Sequence, residues 1–352
     1  MRNVLHPPSS VLSPPSSERA RCLVTGGAGF IGSELVRQVA AVGCDVTIVD
    51  NLVNGKRENV NEVLGDKVRL EVADIRDAAL MGRLLENVDV VYHLACLGVR
   101  HSIHSPEENH EVNASATLAL LIRAREAKVK RFVYVSSSEV YGTAQKVPMT
   151  EDYPPSPNTV YGASKLAGDC YTRAFWRTHG FPTVVVRPFN SYGPRSHHEG
   201  DSGEVIPKFL LRTMARRPMV IFGDGSQTRD FTYVEDTARG ILLAGTTDAA
   251  VGETVNLGQG SESTINDLAD LVRQVLRRPD AETEYADPRP GDVLRLYADI
   301  AKARSLLGYT PTVSLLEGLT RLKTWYEAQG IPPEELLQKE RVKTWEPAPS
   351  TR

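Results

Sequence analysis

Tyr161 and Lys165 stand four residues apart in Tyr161-Gly-Ala-Ser-Lys165, so a helix places both on one side. An ammonium beside a phenol favours the phenolate and lowers its pKa from about 10. Such a pair can withdraw a proton from a substrate hydroxyl. The spacing is common by chance, and an exposed Tyr/Lys pair explains it equally well. It gains force from Ser136-Ser-Ser-Glu-Val-Tyr-Gly142, which ends a preceding strand-like run with hydroxyl groups. There Ser137 would bond the reacting hydroxyl and share its proton with Tyr161. Loop polarity alone also accounts for a serine run.

Thr25-Gly-Gly-Ala-Gly-Phe-Ile-Gly32 carries a second kind of chemistry. Its glycines allow a sharp turn and a close backbone approach to a pyrophosphate, which sits on the amides of a helix N-terminus. A tight strand–helix turn is the plain alternative. Here the motif follows a strand, opens a helix and precedes Asp50 by about twenty residues, as a dinucleotide site requires. Asp50 can accept from a ribose 2′-OH and would repel a 2′-phosphate, which favours NAD over NADP; Lys56 and Arg57 keep NADP open. Hydride transfer to nicotinamide then complements proton transfer to Tyr161. Asp74 ends the next strand, where it either contacts adenine or caps the loop.

Other polar clusters are less specific. His101, His104 and His110 lack the acids or cysteines of a compact metal set, so no metal is expected, and a solvated or substrate-facing loop is the reading. His197-His198-Glu199 is ambiguous in the same way. Cys22, Cys44, Cys96 and Cys170 form no CxxC pair, and three lie in apolar or strand-like runs, where buried reduced thiols are expected.

The elements that must position these groups follow from periodicity. Strands are expected at 22–25, 45–49, 68–72, 88–93, 131–136 and 183–187, with helices at 33–42, 114–127, 161–179 and 314–328. This alternation implies a doubly wound, Rossmann-like parallel α/β sheet. We expect a Pro/Ser-rich flexible tail at 1–20, a dinucleotide-binding domain at 21–187 rejoined by about 229–257, a smaller C-terminal α/β substrate domain from 188–228 and 258–330, and a peripheral tail at 331–352. The 352 residues are 41% hydrophobic, and 41 Lys+Arg against 44 Asp+Glu give a net charge of -3. That balance offers no basis for nucleic acid or an anionic membrane as partner. With no long apolar run and no secretory h-region, a cytoplasmic protein is expected.

Taken together, TGGAGFIG, HLA at 93–95, SSSEVYG, YGASK, RPFNSYGP at 187–194 and SQTRDF at 226–231 resemble the extended short-chain dehydrogenase/reductase family of nucleotide-sugar epimerases, dehydratases and decarboxylases, over residues 21–328. The resemblance implies tightly held NAD, a nucleoside-diphosphate sugar (UDP favoured) and a homodimer paired through helices 114–127 and 161–179. It implies cofactor contacts from Gly26, Gly29, Phe30, Ile31, Gly32, Asp50, Asn51, Asp74, Ile75, Leu94, Ala95, Tyr161 and Lys165. Substrate contacts would come from Ser138 and Val205, from Asn190 and Arg229 on the diphosphate, with Arg289 a second phosphate arginine. Phe222 would stack on the base, and Asp292 would bind the nucleoside ribose. Guanidinium forks suit phosphate and aromatic faces suit bases, although a surface Arg and a core Phe are the ordinary alternatives.

The family's reactions share removal of the C4 hydride and hydroxyl proton, and then diverge. Glu139 is typical of decarboxylases and dehydratases, whereas simple 4-epimerases carry a small residue there. The C-terminal pattern is instead similar to 4-epimerases: Leu296 stands where decarboxylases carry a carboxylate-binding arginine, and Arg295 would point elsewhere in an extended segment. The expectation is therefore an NAD-dependent UDP-sugar 4-epimerase with Ser137, Tyr161, Lys165 and Glu139 as the catalytic candidates, Glu139 either contacting a sugar hydroxyl or retained without a catalytic role. A 4,6-dehydratase using Glu139 as base is the alternative, and a UDP-glucuronate decarboxylase is third. A non-catalytic NAD-binding scaffold is disfavoured because the serine, tyrosine and lysine are all present.

Overall fold

Valine-rich runs such as Thr183–Pro188, in which all six residues are buried, suit strands covered on both faces by helices. The computed structural model describes residues 19–200, 202–288 and 293–343; most of the expected N-terminal tail, and both Arg289 and Asp292, lie outside the described residues. The chain begins with β1 (Arg21–Thr25), α1 (Phe30–Ala41), β2 (Asp45–Asp50), β3 (Val68–Val72), α2 (Ala78–Leu84) and β4 (Val90–His93). Next come α3 (Val99–His104), α4 (Pro106–His110), a wide helical turn Glu111–Ser115, α5 (Ala116–Glu126), β5 (Arg131–Val135), α6 (Val160–His179) and β6 (Thr183–Pro188).

The second half contains β7 (Asn190–Tyr192), α7 (Val205–Met214), β8 (Met219–Phe222), β9 (Thr228–Arg229), β10 (Phe231–Tyr233), α8 (Val234–Thr246) and β11 (Thr254–Leu257). After these run β12 (Ser263–Thr264), α9 (Ile265–Leu276), β13 (Thr283–Ala286), β14 (Arg295–Leu296), α10 (Ala301–Leu307), α11 (Leu315–Ala328) and α12 (Pro333–Leu336).

Seven strands form one parallel sheet in the order β11-β6-β5-β4-β1-β2-β3, a Rossmann-like α/β fold. Strand order reverses between β1 and β4, which opens a crevice beyond their carboxyl ends. Leu35, Val39 and Ile241 pack on one face of the sheet. Leu120, Phe132 and Phe175 pack on the other. A third core, with Phe209, Leu268, Leu322 and Tyr326, joins α7, α9 and α11.

Three features differ from the expectation. First, α1 begins at Phe30 rather than residue 33, because the glycine turn passes directly into the helix. Second, the helix expected at 114–127 is α5, entered through the wide turn Glu111–Ser115. Third, the segment from 331 is not peripheral over its described length. Leu337 is 3% exposed within the third core, and Glu340 pairs with Arg212 of α7. Its polar composition concealed one apolar anchor and one buried charge.

The long helix α6 starts where Thr159 Oγ1 accepts the Gly162 N–H at 3.0 Å, and it ends at Gly180 in a left-handed conformation. It is fastened to the sheet by a buried ion pair. Arg187 Nε donates to Asp169 Oδ2 at 2.8 Å, with the side chains 2% and 0% exposed, and Arg187 Nη1 donates to the Tyr141 hydroxyl at 2.8 Å. Removing one partner strands the other charge in a dry site. Asp169→Ala should therefore lower the unfolding free energy by about 3–5 kcal/mol in urea; a loss below about 1 kcal/mol would show that the pair does not hold α6 to the sheet.

Candidate active site

A cleft of about 860 Å³ opens at the strand-order reversal and runs to α7. Every described residue expected to act in catalysis or to contact cofactor or substrate lines it, from Gly26 and Asp50 at one end, past Ser137, Tyr161 and Lys165, to Asn190, Val205, Phe222 and Arg229 at the other. Residues some two hundred positions apart thus share one cavity.

The glycine turn is shaped by contact. Gly26 has φ +70°, and a Cβ there would lie 2.7 Å from the Ala95 nitrogen; a Cβ on Gly32 would collide with the Gly26 carbonyl oxygen. Gly29 caps α1 without a side-chain hydrogen bond, which leaves a helix N-terminus suited to phosphate. The cradle fits a dinucleotide. Asp50 Oδ2 accepts from Ala28 N at 3.0 Å and Oδ1 from Leu52 N at 2.9 Å. Burial nevertheless pushes its carboxyl above the ordinary range, and each oxygen keeps a second acceptor site for ribose. Lys56 is paired with Glu199, so its charge is already engaged. Asp74 accepts from Arg76 Nε at 3.0 Å, Arg76 Nη2 at 2.8 Å and Asn51 Nδ2 at 3.2 Å; Arg76 holds its carboxyl below the ordinary range. This geometry matches the loop-capping alternative.

Beneath the turn, His93 is 1% exposed with a hydroxyl on each ring nitrogen. Thr117 Oγ1 donates to the Asn113 carbonyl at 2.8 Å, so it can only accept from His93 Nε2, 2.8 Å away. Nδ1 is then the acceptor for the Thr25 hydroxyl at 2.7 Å, and Thr25 Oγ1 in turn accepts the Ala95 N–H at 3.3 Å. One tautomer satisfies every group. Burial, with Lys165 adding repulsion, pushes the imidazole pKa down to about 3. The chain continues: Asn113 Nδ2 donates to Leu97 O at 2.9 Å and to Ser164 Oγ at 3.1 Å, and Ser164 Oγ donates to the Tyr161 carbonyl at 2.8 Å. The cofactor turn and the helix bearing Tyr161 are parts of one polar network.

Ser137 follows β5, lines the cleft together with Tyr161 and accepts the Glu139 N–H at 3.2 Å. Burial pushes the Tyr161 phenol well above its ordinary pKa; Ser137 opposes this and the Glu139 charge adds to it. The expected depression of Tyr161 by Lys165 is therefore corrected. Lys165 Nζ donates to the Val135 carbonyl at 2.5 Å, lies 4.6 Å from the centre of the Tyr134 ring, and is itself lowered by burial. In this chain burial is the largest influence on the phenol.

At the far end, Asn190 Oδ1 is buried without a hydrogen-bond partner, and Arg229 Nη1 donates to Thr228 O at 2.8 Å and Val293 O at 2.6 Å. Arg295 is turned outward onto Glu262, and Leu296 is buried in the first core; neither lines the cleft. His101 and His104 line it, and among the described residues no three His, Cys, Asp or Glu side chains gather as a metal set. Cys22 and Cys44 are buried, Cys96 is half-buried in the cleft wall and Cys170 is exposed, so two thiols rather than the expected three are buried. Sequence reasoning missed Glu204, whose carboxyl burial pushes up to about 8, together with Arg100, which opposes that shift, and Arg212 and Glu340. They come from three separated segments, with Glu204 and Arg212 both on α7 or its cap, and carry no motif spacing. Among the described residues no helix is long and apolar enough to cross a membrane.

The model of the NAD-dependent epimerase/dehydratase family matches residues 22–258. The UDP-glucose 4-epimerase of Mycolicibacterium smegmatis is 38% identical over 305 residues, covering 86% of this chain and 96% of that protein. Among solved structures, the UDP-glucose 4-epimerase of Thermotoga maritima with UDP-glucose superposes with TM-score 0.83 at 35% identity, over 88% of this chain and 100% of that one. The dTDP-glucose 4,6-dehydratase DesIV of Streptomyces venezuelae with NAD bound does so with TM-score 0.82 at 36% identity, over 88% and 97%.

Two outcomes follow from this geometry. Gly32→Ala should weaken NAD binding about tenfold or more, about 1.4 kcal/mol, because the turn must open; unchanged NAD affinity by calorimetry would contradict the cradle. His93 should show the neutral Nε2–H tautomer by ¹⁵N NMR down to about pH 4, one unit above its folded pKa. An unfolded histidine protonates near 6.5, so stability is full above about pH 6.5 and falls as pH drops toward 3, at up to about 1.4 kcal/mol per unit from this group. A doubly protonated ring at pH 5 would contradict the relay.

Proposed function

We propose that this chain, which belongs to the NAD-dependent epimerase/dehydratase family and is an NAD-dependent enzyme, is a 4-epimerase of a UDP-sugar. The observation that carries the reading is the convergence of Ser137, Tyr161 and Lys165 in the middle of a cleft whose one end fits NAD and whose other end offers Asn190, Phe222 and Arg229. In this proposal residues 21–187 and 229–257 hold the cofactor, and 188–228 and 258–330 hold the nucleotide sugar.

Gly26, Gly29 and Gly32 with Asp50 would hold the cofactor. NAD, when bound, would accept the hydride that leaves C4 of the sugar and would bring a positive ring that favours the phenolate. The chain's own part is proton handling and placement. Tyr161 takes the C4 hydroxyl proton through Ser137 and later returns it. Lys165, held on the Val135 carbonyl, keeps a cation below the ring plane of Tyr134 and close to the site. Asn190 has an unpaired buried oxygen that seeks a donor, and Arg229 presents a guanidinium for the diphosphate. These hold the nucleotide while the keto-sugar turns over, so hydride returns to its other face.

Two features favour epimerisation over the later branches. Arg295 and Leu296 leave no guanidinium in the cleft at the position expected to bind a sugar carboxylate. The relative at 38% identity is a 4-epimerase. Glu139 keeps a second reading in play: it is half-buried in the cleft wall, and its charge is felt by Tyr161. It would then be the C5 base of a 4,6-dehydratase. We also propose a homodimer through α5 and α6, which leave Ile122 38% and Trp176 36% exposed, acting in the cytoplasm.

Tyr161→Phe should reduce kcat by about 10²–10⁴-fold while UDP-sugar binding persists. Glu139→Gln should leave turnover within about threefold, less than the smallest usual acid–base contribution. Loss of turnover in Glu139→Gln comparable to that in Tyr161→Phe would hand the site to the dehydratase reading.

A further inference from the structure

The end of the described chain is built into the substrate half of the cleft. Beyond α12, Leu337 sits in the third core at 3% exposure. The residues that follow lie alongside residues 197–200: Gly200 N donates to Lys339 O at 2.7 Å in a parallel bridge between Gly200 and Glu340. Lys208 Nζ donates to the Arg341 carbonyl at 2.6 Å. Glu340 accepts from Arg212 Nη1 with both oxygens, at 3.1 and 2.9 Å, and these side chains are only 6% and 11% exposed. Arg212 Nε is fixed in turn on the Pro218 carbonyl at 2.6 Å.

Lys208 and Arg212 are one helical turn apart on α7, and both line the cleft, as do Glu340 and Val342. Residues 197–200 are held from the cofactor side by the Lys56–Glu199 pair, and His198 packs edge-on against Tyr326 with centroids 6.0 Å apart. A buried ion pair adds little net stability, but it specifies one register, because a shifted register leaves two desolvated charges unpaired. A tail that served only as an anchor would need Leu337 alone. The bidentate pair instead fixes which residues of the segment meet α7, whose first turn carries Val205 and whose preceding residues Gly203 and Glu204 also line the cleft.

We propose that residues 337–342 are a wall of the nucleotide-sugar site, and that Glu340 is a positioning residue that sets Arg212 and residues 197–200 for a nucleoside-diphosphate ligand. This rests on the UDP-sugar reading above. Its consequence is a KM effect without a kcat effect, because the helix turn that bears Tyr161 is held by a separate network through His93 and Asn113.

The test is calorimetric titration of UDP into the NAD-loaded full chain. Glu340→Gln, which keeps the shape and removes the charge, should weaken UDP binding about tenfold and raise KM for the turned-over sugar by the same factor, with kcat and bound NAD unchanged. Glu340→Asp should recover part of the affinity. Val342 is 41% exposed, so its replacement should spare the fold; Val342→Glu, which places an anion in the same wall, should also weaken UDP binding. UDP affinity equal to wild type in Glu340→Gln, or in Val342→Glu should Glu340→Gln fail to retain NAD, overturns the proposal. A wild-type chain that binds no UDP overturns the UDP-sugar reading and this inference with it.

Discussion

A buried imidazole with a hydroxyl on each nitrogen admits few proton arrangements, and around His93 only one leaves no group unsatisfied. Thr117 is committed to the Asn113 carbonyl, so the ring must donate from Nε2 and accept at Nδ1. That requirement aligns β1, β4 and the entry to α5, and through Asn113 and Ser164 it sets the first turn of α6. The glycine turn and Tyr161 are consequently placed relative to each other by hydrogen bonds of fixed direction, in a site too dry to tolerate an unpaired polar group. The rest of the cleft is arranged around that frame.

Charge is handled by the same rule at larger scale. Arg187 and Asp169 neutralise each other under α6, and Glu340 does the same for Arg212 at the other lobe. Lys165 is the instructive exception. It is buried without a carboxylate hydrogen bond, is held by a carbonyl and an aromatic face, and is lowered accordingly. Tyr161 is raised by the same burial. The two groups of the reacting pair are thus moved toward their neutral forms, and a bound cation at the site would draw the phenol back toward ionisation.

The sheet and the cofactor end were legible in the sequence because their signals are local. Strand, glycine turn, helix and terminal Asp50 follow one another within thirty residues, and Tyr161 and Lys165 share a helical turn. The substrate end was legible only where a motif carried it, as at Asn190 and Arg229. Glu204, Arg100, Arg212 and Glu340 come together only in three dimensions, and Glu340 lies in a segment whose polarity reads as a solvated tail. The relation of Lys165 to Tyr161 was misjudged for a related reason. Spacing gives a shared face, but the sign of a pKa shift depends on desolvation, which the one-dimensional pattern does not contain.

Glu139 and the buried carboxyl of Glu204 stand near a sugar site whose proposed reaction needs neither as a base. The most direct measurement is therefore mass spectrometry and proton NMR of the product formed from UDP-glucose by the NAD-loaded chain in D₂O. The account predicts a product of unchanged mass, inverted at C4 and carrying no solvent deuterium. Loss of water with deuterium at C5 would contradict it and make Glu139 the base of a dehydratase.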